Sequence, residues 1–166
     1  RRLRELGPAL SRPGLEYSNV NGANLRFLFK KDSKSSSYSV DTEFIEFLYE
    51  IGLRELVMPF ESRNNEMMRR HASGKYDPDS MDSIALVQAL KKVGMRIAGN
   101  FMIGFRDEDW DSVLRMKEFA RQIVAEGVDA VGFMIPVPYP GSLDFEIVME
   151  DQARRLDFEM APLKYT

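Results

Sequence analysis

The sequence of 166 residues is 44% hydrophobic and 30% charged, which suits about one folded domain with a real core and excludes a disordered chain. A net charge of -3 and a pI near 5.3 leave no electrostatic footprint for nucleic acid or an anionic membrane. No run reaches the roughly 18 to 20 apolar residues of a membrane helix, no signal-peptide core is present, and the absence of cysteine excludes disulfides, thiolate zinc sites and cysteine-held clusters within these residues.

In chain order, RRLRELGPAL opens on Leu3, Leu6 and Leu10 at helical spacing, as if cut into midway, so the expectation is a piece of a longer protein or a processed mature form. NLRFLFK, residues 24–30, carries Leu25, Phe27 and Phe29 at period two and predicts a strand. KKDSKSSSYS, 30–39, reads as an exposed loop. DTEFIEFLYEIG, 41–52, places Phe44, Ile45, Phe47, Leu48 and Ile51 on one helical face, with Asp41 to cap and Gly52 to stop it. RELVMPF, 54–60, is a buried strand with Pro59 near its end.

ESRNNEMMRRHASG predicts a short helix closed at Gly74. A longer helix within 77–94 repeats Ile84, Val87, Leu90 and Val93, capped by Asp79 or Ser80 and ended by Gly94. MRIAGNFMI, 95–103, is the next strand. Asp109 starts a helix in which Trp110, Val113, Leu114, Phe119, Ile123 and Val124 share the buried side before Gly127. DAVGFMI, 129–135, is the last strand, and PVPYPGS stops it.

Strands alternating with helices of this length predict parallel pairing through right-handed crossovers. The expected fold is α/β, a single domain over 1–166, with about four parallel strands. Their C-terminal ends would form one rim holding Lys30, Lys31, Glu61, Ser62, Gly104, Phe105 and the 136–141 turn, where α/β folds bind ligands.

Three motifs in order carry a resemblance: FES at 60–62, GNFMIGF at 99–105 after KKVGMRIA, and PYPGS at 138–142. Over roughly residues 40–145 the set resembles the C-terminal half of the radical S-adenosylmethionine barrel, closest to the subgroup that often carries an upstream cobalamin domain. The resemblance implies a partial (β/α) TIM-like barrel that binds S-adenosylmethionine. In the full-length protein a 4Fe-4S cluster, its ligands outside this chain, would split the cofactor to a 5'-deoxyadenosyl radical. Cobalamin is a further possible cofactor of that parent.

By position, the resemblance puts Glu61 and Ser62 at the methionine and ribose end of the cofactor. Asn100 and Met102 then occupy the strand whose main chain meets adenine, Gly104 makes the turn, and Ile135, Pro136 and Val137 flank the ring. The chain departs from the pattern at Arg63, where the family has glycine. It departs again at Arg106, Asp107, Glu108 and Asp109, where Asp107 and Glu108 both compete for the place of the family's loop glutamate. The family's three-cysteine loop is absent from these residues.

Plainer readings stand beside these. Glu61 could support a short helix, Gly104 could be a simple turn, and Asn100 could satisfy neighbouring backbone, since a buried amide needs partners. Met58, Met102 and Met134 read as core packing, the single histidine, His71, as structural, and Lys30 and Lys31 as a solvated loop edge. Asp107, Glu108, Asp109 and Asp111 suit a charged helix start better than magnesium. As whole-chain alternatives, a non-catalytic α/β module could bind a nucleotide or a protein, and an unrelated barrel enzyme could use Glu61 as acid or base. The expected partners are a small-molecule or unknown substrate and a second copy of the chain, with no nucleic acid and no membrane, in a cytoplasmic setting.

Overall fold

Aspartates start the helices that build the core. The computed structural model describes residues 2–33, 37–63, 65–71, 77–105 and 108–155, the side chains of 70, 71 and 151–155 excepted. Asp41 caps α2 (Thr42–Glu50) by accepting from Phe44 N at 3.0 Å, and Asp82 caps α4 (Ser83–Lys92) by accepting from Ala85 N at 3.0 Å. Asp109 does the same for α5 (Trp110–Ala125) through Ser112 N at 2.6 Å. Each carboxylate satisfies an amide that the helix leaves without a partner.

The chain divides into two compact units, Arg1–Ile135 and Pro136–Thr166. The first also contains α1 (Arg2–Leu10), β1 (Tyr17–Asn19), a 3-10 turn (Leu25–Leu28), β2 (Phe29–Lys31), β3 (Tyr38–Val40), β4 (Leu53–Glu61), α3 (Asn65–His71), β5 (Arg96–Met102) and β6 (Ala130–Met134). In the second, Ser142 ends PVPYPGS and accepts from Phe145 N at 3.2 Å to start α6 (Leu143–Arg155).

The main sheet is mixed into an α/β fold as four parallel strands in the order β1-β4-β5-β6. That order never reverses along the chain, so right-handed crossovers carry the intervening helices to one face. The burial pattern agrees. Leu56, Met58 and Phe60 of β4 join Ile97 and Phe101 of β5 in one core with Ile45, Leu48, Leu86, Leu90, Met116, Phe119 and Ile123 from the helices. Phe101 stacks on Phe60 with centroids 5.5 Å apart, and Phe119 closes on Phe60 edge-on at 5.3 Å. The alternate residues Ala98, Asn100 and Met102 are only half-buried, on the opposite, open face.

Several expectations are corrected. Residues 25–28 form a 3-10 turn because the Asn24 side chain accepts from Arg26 N at 3.1 Å and folds the backbone before a strand can extend. The first parallel strand is instead Tyr17–Asn19, too short and polar to announce itself. Lys30 and Lys31 belong to β2, which pairs antiparallel with β3. Asp82, not Asp79 or Ser80, caps α4.

In α5 the buried side is Ser112, Met116, Phe119, Ala120 and Ile123, while Trp110 is 71% exposed and Leu114 and Val124 are also exposed. At about 100° per residue Leu114 falls opposite that face, and Trp110 and Val124 lie about a quarter-turn or more from its centre. Gly74 lies outside the described residues. No helix among the described residues is long and apolar enough to cross a membrane.

Candidate functional site: the C-terminal rim of the sheet

β4 ends irregularly. Its pairing with β5 shifts register between Pro59 and Glu61, and Glu61 adopts a left-handed backbone with φ 56°, unlike any other non-glycine residue described. Holding a side-chain-bearing residue there costs roughly 1–2 kcal/mol, a strain that clusters at functional sites. Glu61 is half-buried and Ser62 is 2% exposed, and both engage other groups of the protein. Arg63 leaves the rim: its guanidinium sits 4.5 Å over the Phe119 ring and donates to Pro78 O at 3.4 Å, on the helix-covered side.

One level of the open face runs Pro59, Asn100, Gly132 across three strands. A Cβ on Gly132 would lie 3.3 Å from Asn100 Oδ1, so glycine is what leaves the amide its room. Asn100 is half-buried rather than enclosed, which relieves it of the internal partners that a buried amide requires. The next level pairs Met102 with Met134, half-buried and 47% exposed respectively, so Met134 is not core. Met58, at 0% exposure, is.

Beyond the strand, Ile103 N donates to Met134 O at 2.9 Å and fixes the two strand ends side by side. Gly104 then turns with φ 87°, and Ile135 Cγ2 lies 3.6 Å from where its Cβ would stand. The Gly104 N–H donates to Glu108 Oε2 at 2.7 Å, and the Ser112 hydroxyl donates to Glu108 Oε1 at 3.4 Å. Glu108 therefore ties the turn to the start of α5. Its role was only half legible in sequence, as one of two acids just ahead of a capping aspartate. Asp107, the other, lies outside the described residues with Arg106.

The rim thus gathers Glu61, Ser62, Asn100, Met102, Gly104 and Ile135, the last 70% exposed. Pro136 and Val137 fall in the second compact unit, half-buried and 65% exposed, and their cofactor assignment rests on the resemblance alone. Lys30 is not a rim residue. Its ammonium binds Glu43 at 2.9 Å and Asp41 at 3.2 Å, and those partners, Glu43 first, raise it above its ordinary value. The His71 side chain lies outside the described residues. Among them no group of three or more His, Cys, Asp or Glu could hold a metal ion.

A cavity of about 640 Å³ lies elsewhere, between α1, β1 and α2, with walls such as Leu3, Leu10, Phe44 and Leu56 and no rim residue among those described. Its lining is mostly apolar, with Arg4 and Asp41, 3.8 Å apart, and Asn19 among its polar members.

No family model matches the chain. An uncharacterized methyltransferase of Pyrococcus horikoshii is 36% identical to it over 84 residues. Those residues are 51% of this chain and only 17% of that protein. The similarity is therefore to a small part of a much longer relative.

Proposed function

We propose that this chain forms part of a radical S-adenosylmethionine barrel and supplies the strand ends that hold the cofactor's adenosyl group. The observation that carries the reading is the rim itself: three neighbouring parallel strands deliver Glu61, Asn100 and the Gly104–Ile135 pair of turns to one edge. The unreversed strand order with one open face is what a barrel wall has and a doubly wound sheet lacks. The relative's name, methyltransferase, points to the same cofactor, the usual donor in methyl transfer.

In this reading the Glu61 carboxylate accepts from ribose hydroxyls, and the Asn100 amide, given room by Gly132, meets the purine edge. Met102, Met134 and Ile135 give an apolar wall that excludes water. Ser62 is buried next to Glu61 in the chain, and Glu108 holds the Gly104 turn in place. Bound beside a reduced cluster, the cofactor would supply a 5'-deoxyadenosyl radical; this chain's part is orientation. With no cysteine it holds no such cluster, whose ligands would lie outside it, and no residue here is assigned to a cobalamin.

Calorimetric titration of S-adenosylmethionine tests the reading. The chain should bind it, and Glu61→Ala should bind about tenfold more weakly while its unfolding stays cooperative, the loss of one charge-assisted hydrogen bond. Equal affinity in the two proteins would remove Glu61 from the site. We also propose that copies of the chain associate, because β1 and β6 are the sheet's edges and β6 exposes Val131, Phe133 and Met134.

A further inference from the structure

A second cavity, about 410 Å³, lies among the loops that leave the C-terminal ends of β1 and β4. One side comes from the 3-10 turn and the β2–β3 hairpin, which follow β1 and contribute Arg26 and Tyr38. The other comes from α3, which begins four residues after Glu61 and contributes Asn65 and Arg69. Met68 is its buried floor. The cavity therefore occupies the same end of the sheet as the rim but not the same residues.

Its electrostatics are unbalanced. Among the described residues, two guanidinium groups line it against one carboxylate, Asp77. Neither arginine forms an ion pair among the described residues. Arg26 Nη2 donates to the Tyr38 hydroxyl at 3.1 Å and the guanidinium lies 5.8 Å from that ring's centroid, while Arg69 Nε donates only to Asn65 O at 3.3 Å. Among the described residues both groups leave most of their five donors unspent.

Asp77 does not neutralise them. Burial would raise its carboxyl, but the Ser80 hydroxyl, the Asp79 backbone N–H and the Asn65 amide outweigh that and hold it below its ordinary value of 3.8. Its oxygens thus face Ser80, the Asp79 N–H and Asn65 at the start of α3. A planar cation with free paired donors fits a carboxylate or a phosphate better than any neutral group.

We propose that Arg26 and Arg69 form an oxyanion subsite that takes a carboxylate or phosphate group of a small-molecule substrate. Assigning the anion to a substrate rests on the reading of the rim as a cofactor site; that the cavity binds an oxyanion does not. The Tyr38 hydroxyl and ring hold Arg26 in place, so the hairpin, an insertion between two parallel strands, acquires a purpose: through Tyr38 it steadies the cation that the 3-10 turn brings to the strand ends.

Inorganic phosphate and acetate, titrated calorimetrically into the chain at constant ionic strength, serve as probes. Saturable binding is expected for one of them, which identifies the anion class, and it should weaken about tenfold in both Arg26→Gln and Arg69→Gln. Both arginines are exposed, so the variants should keep the urea midpoint of the parent. No saturable binding of either probe, or binding unchanged in folded variants, overturns the subsite. Competition between the bound anion and S-adenosylmethionine, with the arginine variants also losing that cofactor, would give the site to the cofactor's own carboxylate and overturn the substrate assignment. Loss of cofactor binding in Glu61→Ala with the anion still bound separates the two readings.

Discussion

The two rims of the sheet are built differently. The N-terminal rim, although the β1–β4 ladder shifts register between Tyr17 and Ser18, is cross-linked by hydrogen bonds. Asp129 accepts from Ile97 N at 2.8 Å and from Lys91 Nζ at 2.9 Å, joining α4, β5 and β6, and Tyr17 N donates to Gly52 O at 2.8 Å to join β1 to the start of β4. At the C-terminal rim the ladder slips before Glu61, the backbone turns left-handed, and apolar Ile135 stands in solvent. One edge accumulates hydrogen bonds and the other accumulates strain and exposure. This division of labour is general in α/β folds, where stability gathers under the strands and binding above them.

The sharpest test sets two glycines against each other. Gly52, at the tied rim, has φ 107° and would place a Cβ 2.9 Å from Leu15 O, a backbone atom that cannot yield. Gly104, at the open rim, has φ 87° and among the described residues would meet only Ile135 at 3.6 Å. By urea denaturation Gly52→Ala should cost about 3 kcal/mol or more, overpacking added to a forbidden conformation, against about 1–2 kcal/mol for Gly104→Ala. Equal losses would erase the contrast between the rims.

A second experiment measures the strain directly. Glu61→Gly and Glu61→Ala both lose the carboxylate and its partners, and differ in their ease at φ 56°. Glu61→Gly should be the more stable of the two by about 1 kcal/mol, with both binding the cofactor poorly. No difference would mean that the backbone there is not strained.

Association sharpens the comparison from the side. Light scattering over a concentration series should show mass above one chain. Replacing exposed Phe133 and Val131 of β6 by lysine should return it toward the monomer. A strictly monomeric parent would show that the sheet edges are already sealed.

The smallest effect concerns acid. The Ile97 N–H first, then Lys91, hold Asp129 below its ordinary 3.8 against the opposing effect of burial. A depressed carboxyl stabilises the fold above the unfolded value, and that contribution fades as pH falls through the folded value. Urea midpoints taken between about pH 5 and pH 2 should therefore drop less steeply for Asp129→Asn. With a side chain 47% exposed to screening solvent, the difference should be small, and its absence would demote this clamp.

The sequence by itself determined α1 to α5 and three of the four parallel strands, while α6 (Leu143–Arg155) after the proline-rich stop went unread. Asp41 and Asp109 are caps wherever an amide three residues on is free, and runs such as RELVMPF and MRIAGNFMI are too apolar for anything but burial. Those signals are local, so they survive reading one residue at a time. Only the tertiary structure decided the rest. Phe27 looks like a strand residue at period two but is 72% exposed in a 3-10 turn, because the Asn24 side chain acts first. The three residues of β1 become a strand only when β4 offers them a ladder. Likewise, Trp110 is apolar yet exposed because the buried face of α5 is set by where β5 and α4 lie. Glu61 took its left-handed turn, Glu108 its hold on Gly104, and Arg26 its place across from Arg69 from contacts distant in sequence, whose energies no local pattern encodes.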